Sequence, residues 1–113
     1  MAEGVAVFVQ VKENNHFKVT VEQLEAARTD KTKVLVLNSP SNPTGMIYSR
    51  EELLAIGNWA VAHDVLILAD DIYGRLVYNG NEFVPIKSAL CALFGALLVN
   101  TKQPPATALV VRL

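Results

Sequence analysis

The residue with the clearest chemical implication in this chain is an aspartate at the end of an apolar run. Asp70 directly follows the apolar residues Val65–Ala69. A carboxylate at the mouth of a buried strand is unfavourable unless it is paired, because burial removes its hydration. The position therefore predicts one of two roles. Asp70 either caps the N-terminus of a following helix or neutralises a buried cation, such as a protonated ring nitrogen.

A tyrosine and an asparagine could serve the same ring. Tyr73 lies three residues after Asp70, so a helical turn would place both side chains on one side. The Tyr73 hydroxyl could then bind a phenolate-like oxygen of the ring, and an ordinary tyrosine at the edge of the core is the alternative. Asn42 precedes Pro43, and a cis bond between them would direct the asparagine amide into the site. The alternative for this pair is a plain turn.

The apolar pattern predicts the elements that position these residues. Two continuous apolar runs indicate buried strands, and capping-box spacings after Thr20 and Ser49 indicate two helices. In chain order we predict a strand at 4–11, a helix from Thr20, a strand at 34–37, a helix from Ser49 and a strand at 65–69. This alternation is typical of an α/β fold with a mainly parallel sheet. Ligands bind at the carboxyl ends of strands in such sheets, where Asn42 and Asp70 would both lie.

The composition of the chain excludes several classes of protein. The 113 residues allow one domain at most, and 51% of them are apolar. A net charge of −1 provides no basic face for nucleic acid or for a membrane surface. The one cysteine, Cys91, cannot form an internal disulfide, and the N-terminus lacks the pattern of a secretion signal, so we expect a cytoplasmic protein. His16 and His63 have no partners at the spacing of metal ligands, so we predict no metal site.

Three longer segments together resemble the fold type I, class I/II aminotransferases, which use pyridoxal 5′-phosphate (PLP). They are Phe17–Ala27, Asn38–Ser49 with its Ser41-Asn42-Pro43-Thr44-Gly45 motif, and Ile67–Tyr78 with its Asp70-Asp71-Ile72-Tyr73 motif. The likeness extends from about Ala2 to Ile86 and is greatest to the bacterial aspartate aminotransferase-like branch. The resemblance implies a partial three-layer sandwich, part of the large domain of these enzymes. It also implies transfer of an amino group between an amino acid and a 2-oxo acid.

The resemblance implies a role in cofactor binding for three residues. Asn42 would bind the ring hydroxyl oxygen of PLP, with its bond to Pro43 in the cis form. Asp70 would pair with the pyridine nitrogen and keep it protonated, which makes the ring an electron sink. Tyr73 would bind the ring hydroxyl and lower the pKa of the internal imine. Full-length members of the family are typically homodimers whose sites lie at the interface.

The end of the chain differs in composition from the segment that carries the resemblance. All acidic residues lie at or before Glu82, and the tail from Lys87 contains none. We therefore expect two parts: residues 1–86, a fragment of the large domain, and residues 87–113, an atypical tail that need not be native family sequence. Lys102 is the candidate for the lysine that forms the Schiff base with PLP, although the serine-lysine pattern of the family does not surround it.

These features predict a truncated aminotransferase that is inactive by itself, because the Schiff-base lysine segment is not recognisable. The alternative is a non-catalytic fragment that complements or associates with another aminotransferase chain. The predicted strands are apolar on both faces and their sheet is open at its edges. We therefore expect the chain to associate or aggregate when it is expressed alone.

Overall fold

The computed structural model describes residues 4–41, 43–70, 84–85 and 88–89, and the backbone of residues 99–100 and 109–112. These residues form a five-stranded sheet, the α-helices α1 and α2 and a short 3₁₀-helix, and residues 88–89 are also helical. In chain order the elements are β1 (Val5–Phe8), the 3₁₀-helix (Glu13–Asn15), α1 (Val21–Ala27), β2 (Thr32–Asn38), α2 (Arg50–Ala62), β3 (Leu66–Asp70), β4 (Val99–Asn100) and β5 (Leu109–Arg112). Within the described ranges, no helix has the length and apolar character needed to cross a membrane.

The strand order in the sheet is β1-β5-β2-β3-β4. β2 pairs in parallel with β3, and β3 pairs in parallel with β4, whereas β5 runs antiparallel to both β1 and β2. Four strands therefore run in one direction, and the predicted α/β class with a mainly parallel sheet is confirmed. β1 and β2 are not direct neighbours, because a strand from the tail lies between them. The adjacent valines of β5 have the high strand propensity that such a position favours.

Both α-helices begin at the predicted capping boxes. Before α1, the Thr20 amide donates to Gln23 Oε1 at 3.0 Å, and the Gln23 amide donates to Thr20 Oγ1 at 3.3 Å. Before α2, the Ser49 amide donates to Glu52 Oε2 at 2.7 Å, and the Glu52 amide donates to Ser49 Oγ at 3.2 Å. These reciprocal bonds satisfy amides that have no partner inside the helix, so local sequence alone fixes where each helix starts.

The core lies where alternate residues of β2 and β3 meet side chains of both helices. Its members from these elements include Leu24, Leu35, Leu37, Leu53, Ile56, Trp59, Ile67 and Ala69. The intervening residues of the strands are half-buried or exposed, and Leu66 is 54% exposed. The apolar runs had indicated strands covered on both faces, but the structure covers only one face completely. Both α1 and α2 contribute to that same buried cluster, and the half-buried or exposed residues of the two strands lie on the other face.

The first strand is shorter than predicted and lies at an edge of the described sheet. β1 ends at Phe8, whereas the prediction extended to Val11. Val9 is nevertheless buried in the core, so its apolar character reflects packing rather than strand pairing. The predicted turn after this segment contains the 3₁₀-helix, which ends at His16 in a left-handed backbone conformation. Val5 and Phe8 are exposed, so β1 presents apolar side chains as well as an open edge.

The Glu25 carboxylate connects α1 to α2. It accepts hydrogen bonds from Trp59 Nε1 at 2.8 Å and from Arg28 Nη2 at 2.8 Å. His63 Nε2 lies 3.3 Å from the same carboxylate, and His63 Nδ1 lies 2.8 Å from the Trp59 carbonyl oxygen. The hydrogen bond from Arg28, followed by that from Trp59, lowers the pKa of Glu25 to about 2. Glu25 therefore remains ionised in the folded protein well below the pH at which a free carboxyl group takes up a proton.

We expect acid to weaken the fold through Glu25. The pKa of Glu25 in the folded protein lies below its ordinary value of 4.5. The contribution of Glu25 to the free energy of unfolding is therefore complete above pH 4.5 and is lost as the pH falls towards about 2. The measurement is urea unfolding of the wild type and of Glu25→Gln as a function of pH, followed by the fluorescence of Trp59, the one tryptophan in the chain. The wild type should be the more stable near neutral pH, and the difference should shrink in acid. A difference that is independent of pH would contradict the prediction.

Candidate functional site

The carboxyl ends of β2 and β3 lie side by side at one edge of the sheet. The two strands are in parallel register, with Asn38 opposite Asp70. The next amide along the chain, that of Ser39, donates to the Asp70 carbonyl oxygen at 3.2 Å. The loop that follows β2 and the segment that follows β3 therefore leave the sheet from adjacent positions. This topology is the one that brings ligand-binding residues together in open α/β sheets.

Asp70 is the last residue of β3 and is largely removed from water. It is 6% exposed, and it follows the buried Ala69. A carboxylate in such a position has lost most of its hydration, so it needs a donor or a positive charge to remain stable. The structure therefore places Asp70 where the sequence predicted it, at the mouth of a buried strand. The segment 71–83, which would decide whether Asp70 also caps a helix, lies outside the described residues.

Asn38 is a buried polar residue at the same edge that the sequence analysis did not single out. It is 5% exposed, and its Nδ2 donates to the Asp70 carbonyl oxygen at 3.2 Å. In the part of the chain that the structure describes, Asn38 Oδ1 has no hydrogen-bond partner. An unpaired buried acceptor costs about 1–3 kcal/mol. One signal could have identified it: Asn38 ends its apolar run just as Asp70 ends the other.

The loop after β2 is held closed by hydrogen bonds at both of its ends. Ser39 is fully buried, and its hydroxyl oxygen accepts a bond from the Tyr48 amide at 3.5 Å. The Tyr48 hydroxyl oxygen accepts a bond from the Val19 amide at 2.8 Å, which ties the loop to the segment before α1. Burial raises the pKa of Tyr48 to about 12, so its hydroxyl stays protonated at physiological pH. Tyr48 therefore acts as a neutral link between the two segments.

Residues 41 and 43–46 at the tip of this loop are held in a tight turn. The Gly45 amide donates to the Ser41 carbonyl oxygen at 2.6 Å, and the Ser41 amide donates to the Met46 carbonyl oxygen at 3.0 Å. Gly45 has a φ of 68°, a left-handed conformation that glycine adopts without steric cost. The cis peptide bond found in the loop is Ser39–Pro40. The bond between Asn42 and Pro43, for which the resemblance implies a cis form, lies outside the described residues.

The sequence-predicted site residues are thus placed only in part. Asp70 lies at the expected edge, and the backbone on both sides of position 42 is closed into a turn. Asn42, Tyr73 and Lys102 themselves lie outside the described residues, so their predicted roles stay predictions. Among the described residues, no group of three or more histidine, cysteine, aspartate or glutamate side chains could hold a metal ion.

A groove with a mixed polar and apolar lining lies beside the same loop. Its volume is about 370 Å³, and it is bordered by residues 8–11, Phe17, Ser41, Pro43 and Thr44. Phe8, which is 65% exposed, contributes much of its apolar wall. Neither Asp70 nor Asn38 lines it, so the groove and the buried polar edge are separate features. The lining of the groove includes the polar residues Gln10, Ser41 and Thr44 beside its apolar residues.

Comparisons with known proteins agree with this architecture. The family model described as "Aminotransferase class I and II" matches residues 1–111. The chain is 74% identical over 88 residues to an asparagine–oxo-acid transaminase of Streptococcus mutans, an alignment that covers 78% of the chain and 22% of that relative. It is 55% identical over 86 residues to an aspartate aminotransferase of Geobacillus stearothermophilus, and this alignment covers 76% of the chain and 22% of that relative. The crystal structure of an aromatic aminotransferase from Pyrococcus horikoshii superposes with a TM-score of 0.73 at 28% identity, over 94% of this chain and 30% of that one.

The matches settle the family while covering a limited part of each relative. The chain spans about a fifth of the length of the two curated relatives it matches. The family match covers nearly all of the chain, and the resemblance inferred from its motifs is confirmed. This chain belongs to the class I and II aminotransferase family.

Proposed function

We propose that the chain carries part of the cofactor site of an aminotransferase that uses PLP. The whole reaction would transfer an amino group between an amino acid and a 2-oxo acid, as the names of the relatives indicate for those proteins. The observation that carries the proposal is the buried Asp70 at the carboxyl edge of two parallel strands. The activity is a proposal for the whole protein, since the chain spans only 22% of those relatives.

The described polar groups at this edge suit the pyridine ring of PLP. Asp70 contributes a buried carboxylate, and Asn38 contributes a buried amide oxygen that has no partner among the described residues. Both groups can accept hydrogen bonds, so a ligand that presents donors suits them. A protonated ring nitrogen is a cationic donor of the kind that a buried carboxylate stabilises. The donor requirement of the edge and the chemistry of the ring therefore agree.

Each residue of the site has a distinct proposed task. Asp70 holds the proton on the ring nitrogen of the bound cofactor, and Asn42 and Tyr73 bind its ring hydroxyl oxygen. PLP, when bound, withdraws electrons from the substrate α-carbon and so eases loss of its proton. Lys102 is the candidate for the lysine that anchors the cofactor. The closed loop after β2 supports this arrangement, because its hydrogen bonds fix the backbone on both sides of Asn42.

The substrates and the setting of the enzyme follow from the same relatives and from composition. We propose a short amino acid with a carboxylate or carboxamide side chain as amino donor, because the two relatives are named for asparagine and aspartate. A cytoplasmic location is proposed from the single cysteine, which cannot form an internal disulfide. A homodimer of the whole enzyme is proposed from the family resemblance.

A second candidate function is that of a fragment that completes another aminotransferase chain. A specific observation favours it: β1 lies at an edge of the described sheet, and its Val5 and Phe8 are exposed. An open edge with apolar side chains is suited to pairing with a further strand. Such a chain would supply Asp70 to a site whose lysine comes from its partner. The division into residues 1–86 and an atypical tail at 87–113 remains part of this proposal.

The test is a titration of the purified chain with PLP, followed by absorbance, borohydride reduction and peptide mass mapping. Saturable binding is expected if the strand ends hold the ring. Reduction that traps Lys102 would show that the chain contains its own anchoring lysine and would exclude the completing-fragment function. Saturable binding without a trapped lysine would favour that second function. Absence of saturable binding would contradict the proposal that this edge accepts the cofactor.

A further inference from the structure

Asn38 makes a contact that pairing of β2 with β3 does not require. The Asp70 carbonyl oxygen already accepts the ladder hydrogen bond from the Ser39 amide at 3.2 Å. Asn38 Nδ2 donates a second bond to the same oxygen, also at 3.2 Å. An apolar residue in this buried position would leave the ladder intact. The additional bond therefore acts on Asp70 itself, at the point where β3 ends.

We propose that Asn38 is a positioning residue for Asp70, an inference that rests on the proposed function. Two donors on one carbonyl oxygen restrict rotation of the peptide group that follows Asp70. The carboxylate of Asp70 is attached to the Cα next to this carbonyl group, so the restriction fixes the backbone from which the side chain projects. Preorganised acceptors stabilise a charged partner better than mobile ones, because no reorganisation is needed when the partner arrives.

The orientation of the Asn38 amide is fixed by chemistry. A carbonyl oxygen only accepts hydrogen bonds, so the nitrogen of the amide must face Asp70. Oδ1 consequently faces away from that oxygen, buried and without a partner among the described residues. A buried acceptor of this kind suits a hydrogen-bond donor on a ligand. We therefore assign Asn38 Oδ1 a contact with the ligand when one is bound at this edge.

The alternative is that Asn38 only supports the sheet, and matched variants separate the two roles. Asn38→Ala removes the donor and the acceptor. Asn38→Gln retains the amide donor on a side chain that is one methylene longer, and so tests for partial rescue. Val34→Ala serves as the control, because Val34 is a half-buried residue at the other end of β2. All four proteins are examined as full chains.

Two measurements are made on each variant. The first is the NMR shift of the Asp70 carbonyl carbon in the absence of ligand. The second is a titration with PLP carrying a ¹⁵N label in the ring, which reports both affinity and protonation of the ring nitrogen. Asn38→Ala should move the Asp70 signal, weaken PLP binding by roughly tenfold, as expected for one hydrogen bond, and reduce ring protonation. Asn38→Gln should recover part of each effect, and Val34→Ala should change neither.

Different results overturn different claims. A variant Asn38→Ala that loses stability but keeps the wild-type Asp70 signal and ring protonation would show a structural role only, and the inference would be wrong. If the wild type fails to bind PLP, the proposed function fails. In that case the carbonyl signal still tests the local claim, since an unchanged signal in Asn38→Ala would overturn it independently.

Discussion

Asp70→Asn is expected to weaken the binding of PLP by roughly 10- to 150-fold, since a hydrogen bond to a charged group contributes about 1.5–3 kcal/mol. The substitution retains the size of the side chain but removes its negative charge. Asp70 is buried at the end of β3, so solvent screens its interaction with a ring cation only weakly. The measurement is an absorbance titration of wild type and variant under identical conditions. The loss should appear as weaker affinity, together with a smaller fraction of protonated ring nitrogen.

Two controls make this result specific. Asp64→Asn is the same chemical change at an exposed residue in the turn after α2, and asparagine tolerates the left-handed backbone found there. It should bind PLP as the wild type does. An analogue of PLP with carbon in place of the ring nitrogen should bind wild type and Asp70→Asn equally, because it presents no cation. Equal affinity of both proteins for PLP itself would refute the assigned role of Asp70.

Leu35→Ala is expected to lower the free energy of unfolding by about 2–5 kcal/mol. Leu35 is 0% exposed, and its neighbours in register are Ile67 on β3 and Val110 on β5. Truncation removes apolar contacts and leaves a cavity in the core between the sheet and the helices, which cannot close without disturbing the packing. Domains of this size have total stabilities of only about 5–15 kcal/mol, so the loss is a large fraction of the whole. Urea unfolding followed by Trp59 fluorescence measures it.

Leu66→Ala provides the matched control for this experiment. The chemical change is identical, but Leu66 is 54% exposed at the start of β3. Little apolar surface leaves the core in this case, so we expect a loss well below that of Leu35→Ala. Similar losses for both variants would mean that Leu35 does not belong to the core. Circular dichroism of each variant before titration shows whether it still folds.

Features set by neighbouring residues were predicted correctly. The starts of α1 and α2 follow from a hydroxyl residue and a carboxylate or amide three positions later, a pairing that depends on local backbone alone. The apolar runs located β2 and β3 to within two residues at each end, because long stretches without polar residues have few alternatives in a small domain. The position of Asp70 followed directly from the end of β3.

Features set by distant parts of the chain were not predicted. β5 inserts between β1 and β2, and local propensity contains no information about which strands become neighbours. The involvement of Asn38 was missed for the same reason, since its partner is the carbonyl oxygen of a residue far along the sequence. The early end of β1 at Phe8 reflects where its partner strand ends, because Phe8 pairs with the first residue of β5. Pairing, rather than composition, decided these details.

The separation of Asn38 and Asp70 along the chain has a kinetic consequence. They are 32 residues apart, and α2 lies between them. The two strand ends can therefore meet only after α2 has folded back and β3 has docked beside β2. Closing this connection has an entropic cost before its contacts form, so we expect this edge to be completed after the pairing of β2 with β3 has begun. A ligand that bridges the strand ends would then slow unfolding while leaving the folding rate nearly unchanged.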